Sequence, residues 1–398
     1  MAPGLTPLGD CTVLDFGHTV MGPTAGLILA DLGARVIRVE PVTGDPTRKL
    51  KGFGTGYFPF YNRNKASIAL DLKSPQGRDI ARKLAEGADV VVENFGPGTM
   101  ARLGLDYDSL KDRAPRLIYL SLKGFLPGPY QDRVALDEVV QMMSGLAYMT
   151  GPPGQPLRAG ASIVDVMGGT MGVIAVQAAL AERARTGRGQ LVTSALFESA
   201  MFLMGQHLAY AAQSQDPVPP MPARVSAWAV YDQFDTACGA RVFLGITSDR
   251  HWARFCDQFD VPDLGVDAAL ATNAARIEAR DRLLPRIAAV LAALDYPAFA
   301  QKAEAAGLPF APITRPEEMF DDPHLRAGGR LLPTTLPGGI HTHLPALPIE
   351  MDHKRAEKHR DPPALGADTH EVLSALGYGE AALQDLAKQG VVAGKGLG

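Results

Sequence analysis

Residues 12–40 read TVLDFGHTVMGPTAGLILADLGARVIRVE, and this stretch decides the fold class. Two short runs rich in β-branched and apolar residues, 12–16 and 35–39, bracket a helical pattern over 24–32. The same alternation continues outward. Runs at 90–93 and 117–122 read as strands, and helical patterns fill 75–86 and 107–112. Strand–helix–strand spacing of this kind predicts an α/β fold with a parallel sheet and crossover helices.

Beyond this region the pattern predicts two longer helices, 136–149 and 166–185. The turn Thr186-Gly187-Arg188-Gly189 leads to a strand at 191–194 and a helix ending near 213. Four prolines within 214–222 mark a boundary. After it, 228–235 and 241–247 read as a hairpin around Cys238-Gly239, followed by helical stretches from 248 to 306. These predict a smaller α+β domain at 214–324 with its linkers, the larger domain being 1–213 with 325–398. A loop-rich stretch at 331–360 precedes two last helices, 369–376 and 380–388.

Composition narrows the function classes. Over 398 residues the formal charge is −4, which gives no broad basic field for nucleic acid or an anionic membrane. Cys11, Cys238 and Cys256 are scattered, which argues against a disulfide framework or zinc site and fits a reducing, cytoplasmic setting. The first ten residues carry no basic or apolar leader pattern, so no secretory signal is expected. The apolar run 173–180 is too short to span a bilayer. The nine histidines show no metal-ligand spacing.

Gly17-His18-Thr19-Val20-Met21-Gly22-Pro23 joins the first strand to the first helix. It has the glycine spacing of a phosphate loop, but Pro23 stands where the lysine belongs, and it is not the dinucleotide fingerprint. His18, Arg38, Asn94 and Lys123 each stand at or just after the carboxyl end of a predicted strand, the rim where open parallel sheets bind ligands. Arg38 and Lys123 suit phosphates or a carboxylate. Asp165 follows an apolar run and precedes Val166-Met167-Gly168-Gly169-Thr170, the start of a long helix. An ionised carboxylate can attack a carbonyl without a base. Helix N-terminal N–H groups suit the developing oxyanion, and Gly168 and Gly169 would let a thioester approach the backbone. Equally, Asp165 could be an N-cap.

In order and spacing, several segments together resemble the class III CoA-transferase family (CaiB/BaiF), which includes formyl-CoA transferase, carnitine CoA-transferase and α-methylacyl-CoA racemase. The carriers are 13–23, 31–40, Gly44-Asp45-Pro46-Thr47-Arg48, Asn62-Arg63-Asn64-Lys65, Leu70-Asp71-Leu72-Lys73, 90–98 with Arg102-Leu103-Gly104, 121–125, 137–145 and 186–190. The resemblance implies a large Rossmann-like domain made from both chain ends, a smaller inserted domain and an interlocked homodimer. It implies that Asp165 is the nucleophile, and that His18 to Val20, Arg38, Leu72, Lys73, Asn94, Phe95, Arg102, Lys123 and Asp137 line a coenzyme A site. CoA would be a substrate moiety, with no metal or redox cofactor.

Two departures bear on the reaction. The racemase branch has a His before the residue matching Asp137, and here that residue is Leu136. The segment 217–228 is proline-rich and lacks the glycine flap of formyl-CoA transferase. The expected activity is CoA transfer from an acyl-CoA, such as succinyl-CoA, to a small carboxylic acid. Arg48, Arg158 and Arg224 are candidates to clamp a second carboxylate.

Overall fold

The structure is a computed structural model that describes residues 5–214, 216–223 and 226–397. Its chain divides into two compact units, 1–222 with 326–398, and 223–325.

The larger unit is built on a seven-stranded sheet. Its strands are β1 (Thr12–Asp15), β2 (Arg35–Glu40), β3 (Lys65–Leu70), β4 (Val90–Glu93), β5 (Ile118–Lys123) and β6 (Leu191–Ala195), completed by the short strand Val392–Ala393. The order is Val392–Ala393, β3, β2, β1, β4, β5, β6. β1 pairs in parallel with β2 on one side and β4 on the other, Leu14 lying opposite Ile37 and Val91. The sheet therefore winds outward in both directions from β1. In open sheets of this kind the carboxyl ends of the strands at such a switch point are where ligands bind.

The sequence reading predicted a parallel sheet. The observed sheet is mixed, because Val392–Ala393 adds antiparallel to β3. β3 itself escaped the sequence reading. It opens with Lys65, whose side chain is fully buried, and carries two alanines and a serine with a single β-branched residue, Ile68.

Four helices position the site: α1 (Met21–Asp31), α2 (Asp137–Met143), α3 (Ile163–Thr186) and α4 (Leu196–Ser214). The predicted helix over 136–149 is two helices, because Gly145 takes φ +85° and separates α2 from Leu146–Thr150. Helix α3 lies against α1 at a crossing that tolerates little bulk. A Cβ on Gly169 would come within 2.7 Å of the Met21 carbonyl oxygen of α1, and toward the sheet one on Gly172 would come within 2.9 Å of a Leu122 methyl of β5. The apolar core on this face includes Val13, Ala25, Leu29, Val92, Leu120, Val173 and Val176.

The smaller unit has an antiparallel sheet of Val230–Asp235, Arg241–Ile246 and Phe310–Pro312. Helices cover it around a core that contains Trp252, Phe255, Phe259, Ile287 and Phe299.

Candidate active site

The β1–α1 loop is held from beneath by buried charges. The Gly17 N–H donates to Asp15 Oδ1 at 2.7 Å, and Arg38 Nη1 donates to the Gly17 carbonyl at 2.7 Å. Lys65 Nζ donates to Asp15 Oδ2 at 2.8 Å and to the Pro23 carbonyl at 2.9 Å. Burial lowers the Lys65 ammonium to about 8 despite Asp15 beside it. The two loop glycines face each other. A Cβ on Gly22 would stand 2.6 Å from Gly17 Cα and 2.8 Å from Asn94 Oδ1. The phosphate-loop spacing seen in the sequence thus serves a tight self-contact in the loop.

At the carboxyl ends of the strands the loops after β1 and β4 are tied together. The His18 N–H donates to Asn94 Oδ1 at 2.8 Å, and Asn94 Nδ2 donates back to the His18 carbonyl at 3.0 Å. The His18 ring lies 5.2 Å from the Phe95 ring. Its pKa is lowered, chiefly by burial. Thr19, beside it, takes φ +65°. Further along the rim, Lys123 Nζ contacts both oxygens of buried Glu93, at 2.7 and 3.0 Å, and the Phe95 carbonyl at 2.9 Å.

Asp165 lies in the first turn of α3, where Ser162 is the N-cap residue. It is therefore not the cap. Among the described residues no donor hydrogen-bonds its carboxylate. The capping is done from another helix: Asp137 Oδ2 accepts from the N–H groups of Val164 at 2.8 Å and Asp165 at 3.1 Å. Gln141, one turn along α2, donates to the other Asp137 oxygen. Burial, then the negative charge of Asp137, raise the Asp165 carboxyl to about 7.

His18, Asn94, Phe95, Lys123, Asp137 and Asp165 line one cavity of about 280 Å3. Several other positions that the resemblance implies for the CoA site stand outside this cavity. Arg38 is 1% exposed and bonded to Asp45 and Gly17, with Asp15 at 3.7 Å, so its guanidinium lies beneath the rim. Val20 is buried at the start of α1. Leu72 packs on the core under the sheet, Lys73 is exposed, and exposed Arg102 donates to Thr99 Oγ1; none of the three lines the cavity. Gly168 and Gly169 face α1, where added Cβ atoms would strike Met21 and Thr24, so their small size serves helix packing and not ligand approach. The N–H groups of Val164 and Asp165 are taken by Asp137 and cannot also receive an oxyanion.

The candidate carboxylate clamps are also occupied. Arg48 pairs with Glu40 through two hydrogen bonds of 2.7 Å and stacks on Phe58. Arg158 pairs with Glu138. Arg224 lies outside the described residues. The sequence reading missed residues 131–135, whose Gln131 and Arg133 line the cavity alongside Leu136. The long link between β5 and α2 was its only signal.

Compared with known proteins, residues 8–369 match the sequence profile of CoA-transferase family III. The succinate–glutarate CoA-transferase of Agrobacterium fabrum is 34% identical over 386 residues, covering 93% of this chain and 96% of that protein. The succinyl-CoA:glutarate CoA-transferase of Mus musculus is 31% identical over 396 residues, covering 98% and 91%. A CaiB/BaiF family crystal structure from Brucella suis superimposes with a TM-score of 0.82 at 31% identity, covering 94% of this chain and 100% of that one.

Proposed function

The chain belongs to CoA-transferase family III and is an enzyme that transfers coenzyme A, and from there we propose that it moves CoA from a dicarboxylic acyl-CoA, such as succinyl-CoA, to a small carboxylic acid, through Asp165. The observation that carries this reading is the Asp165 carboxylate in the cavity, without a hydrogen-bond donor among the described residues and with its pKa raised to about 7. A carboxyl of that pKa is about half ionised at neutral pH. Its carboxylate is more basic and less solvated than an ordinary aspartate, and so a stronger nucleophile.

The chemistry proceeds by acyl exchange. An Asp165 oxygen attacks the thioester carbonyl, the C–S bond breaks, and a mixed anhydride and CoA thiolate result. The thiolate attacks the aspartyl carbonyl and releases the donor acid, leaving an aspartyl-CoA thioester. The acceptor carboxylate attacks that thioester and expels the thiolate again. The thiolate then attacks the acceptor's acyl carbonyl, which releases the new acyl-CoA and restores Asp165. Each step exchanges one carbon–heteroatom bond for another and needs no oxidant. Asp137 fixes the start of α3, and so the position of Asp165. The His18–Asn94 bridge holds the facing wall. Leu136, apolar, lines the cavity beside Asp137, which fits transfer better than racemisation, where two proton-exchanging groups are needed.

The enzyme works as a homodimer in the cytoplasm on this reading. Helices α3 and α4 leave the apolar side chains Ile163, Val166, Ile174, Phe202 and Leu208 exposed, which supports burial against a second copy.

The test is to incubate the enzyme with succinyl-CoA and a panel of carboxylates, and to identify new CoA esters by mass spectrometry. The expected result is at least one new ester with the wild type and none with Asp165→Asn. Comparable exchange by the variant removes the mechanism.

A further inference from the structure

Three of the basic residues near the strand ends have their charge answered inside the protein. Lys123 is paired with Glu93, Arg48 with Glu40 and Arg38 with Asp45. Arg133 differs. It lines the cavity that holds Asp165, is exposed, and among the described residues no carboxylate stands within ion-pair distance of it. Its guanidinium instead lies 4.9 Å from the centre of the Tyr130 ring. That ring packs edge-on against Phe125 at 5.7 Å and Phe197 at 6.4 Å, so the arginine rests on an anchored aromatic base. The Arg133 N–H also donates to the Tyr130 carbonyl at 2.9 Å, which closes a turn and fixes where the side chain begins. A guanidinium held this way keeps its donor edge free for a planar anion.

Arg133 and the reacting carboxylate line the same cavity, so one bound acyl group can meet both. Arg133 precedes Asp137 by four residues, so their Cα atoms are at most ~14 Å apart, and the Asp137 carboxylate touches the Asp165 backbone. Leu136 adds apolar surface to the same cavity.

We propose that Arg133 selects acyl groups bearing a distal carboxylate, which it grips by charge-assisted hydrogen bonds while the acyl carbonyl at the other end meets Asp165. This rests on the acyl-CoA reading of the cavity and adds to it the residue that sets substrate class.

The test uses equilibrium binding in the full-length Asp165→Asn enzyme, which cannot turn over its ligand. Succinyl-CoA, butyryl-CoA and free CoA are titrated by calorimetry into this protein and into the Asp165→Asn/Arg133→Ala double variant. Succinyl-CoA is expected to bind the first protein about tenfold tighter than butyryl-CoA, the scale of a charge-assisted contact. In the double variant that preference disappears, while free CoA stays within about twofold by the same reasoning. A preference that survives loss of Arg133 overturns the proposal. Equal weakening of all three ligands also overturns it, since Arg133 would then hold CoA itself. If none of the three binds either protein, the acyl-CoA reading of the cavity falls, and Arg133's role with it. An Arg133→Lys variant that restores about half of the preference, in free-energy terms, would separate charge recognition from a merely structural role.

Discussion

The carboxylate of Asp137 accepts the backbone N–H of Asp165 at 3.1 Å, so one aspartate caps the helix turn that carries the other. The contact has two opposed effects. It orients Asp165 and satisfies N–H groups at the positive end of α3, which stabilises the turn. It also places a negative charge beside Asp165 and so resists its ionisation.

Activity should therefore follow the ionisation of Asp165. With its carboxyl at about 7, kcat/KM for the acyl-CoA is expected to rise with pH and level off above that value. In Asp137→Asn the acid limb should move to lower pH, because the like charge is gone and the amide oxygen can still accept both N–H bonds. The pH profile of kcat/KM for the two proteins checks this. An unmoved limb would show that Asp137 does not tune Asp165.

Stability should show the same linkage with its own sign. The folded pKa of Asp165, about 7, stands above the ordinary aspartate value of 3.8. The stabilisation from keeping it protonated is full below about 4 and is lost as pH rises through about 7. Wild-type Tm, corrected against Asp165→Asn, should thus fall between about pH 4 and pH 8. The variant should be the more stable protein at the alkaline end. Differential scanning calorimetry across that range measures it.

The β1–α1 loop should tolerate no added methyl at Gly22. Its Cβ would meet Gly17 Cα at 2.6 Å and Asn94 Oδ1 at 2.8 Å, breaking the bridge to His18. Gly22→Ala is expected to cost about 1–3 kcal/mol in urea unfolding and to lower kcat/KM more than tenfold.

The two helix glycines should behave differently from each other. At Gly168 the added Cβ would meet the flexible end of Met21, whereas at Gly169 it would meet the Met21 backbone carbonyl. Gly168→Ala should cost less than about 1 kcal/mol, and Gly169→Ala about 2–3 kcal/mol. Denaturant midpoints of the two variants decide the comparison.

Removing Asp15 should be far more damaging than its position under the loop suggests. It would strand fully buried Lys65, and Arg38 would lose one of its two carboxylate neighbours. Asp15→Ala is expected to cost about 3–5 kcal/mol, read from urea unfolding. Asp15→Ala/Lys65→Met should recover part of that loss, because no unpaired ammonium then remains.

Much of the fold was legible because apolar, β-branched runs 12–16, 35–39 and 90–93 carry their periodicity in adjacent residues. Strand β3 was not, since its character comes from burial of Lys65 against Asp15, 50 residues away. The same distinction divides the site. Asp165 could be picked out because an acid after an apolar run and before a helix is a local pattern. The job of Asp137 could not, since its partner lies 28 residues on. Arg38 looked free for a ligand because sequence does not say that Asp45 folds back to pair with it. Gly168-Gly169 looked like a ligand approach because the helix that needs the space, α1, is remote in sequence. Arg133 went unnoticed as one charged residue in a loop, and only the cavity distinguishes it from surface arginines.

The account depends most on a covalent CoA thioester at Asp165. Incubating the enzyme with succinyl-CoA and hydroxylamine, then mapping tryptic peptides by mass spectrometry, tests it directly. A hydroxamate on Asp165, formed only when the acyl-CoA is present, is the predicted result. Turnover that continues with Asp165 unmodified, or a hydroxamate on a different carboxylate, would contradict it.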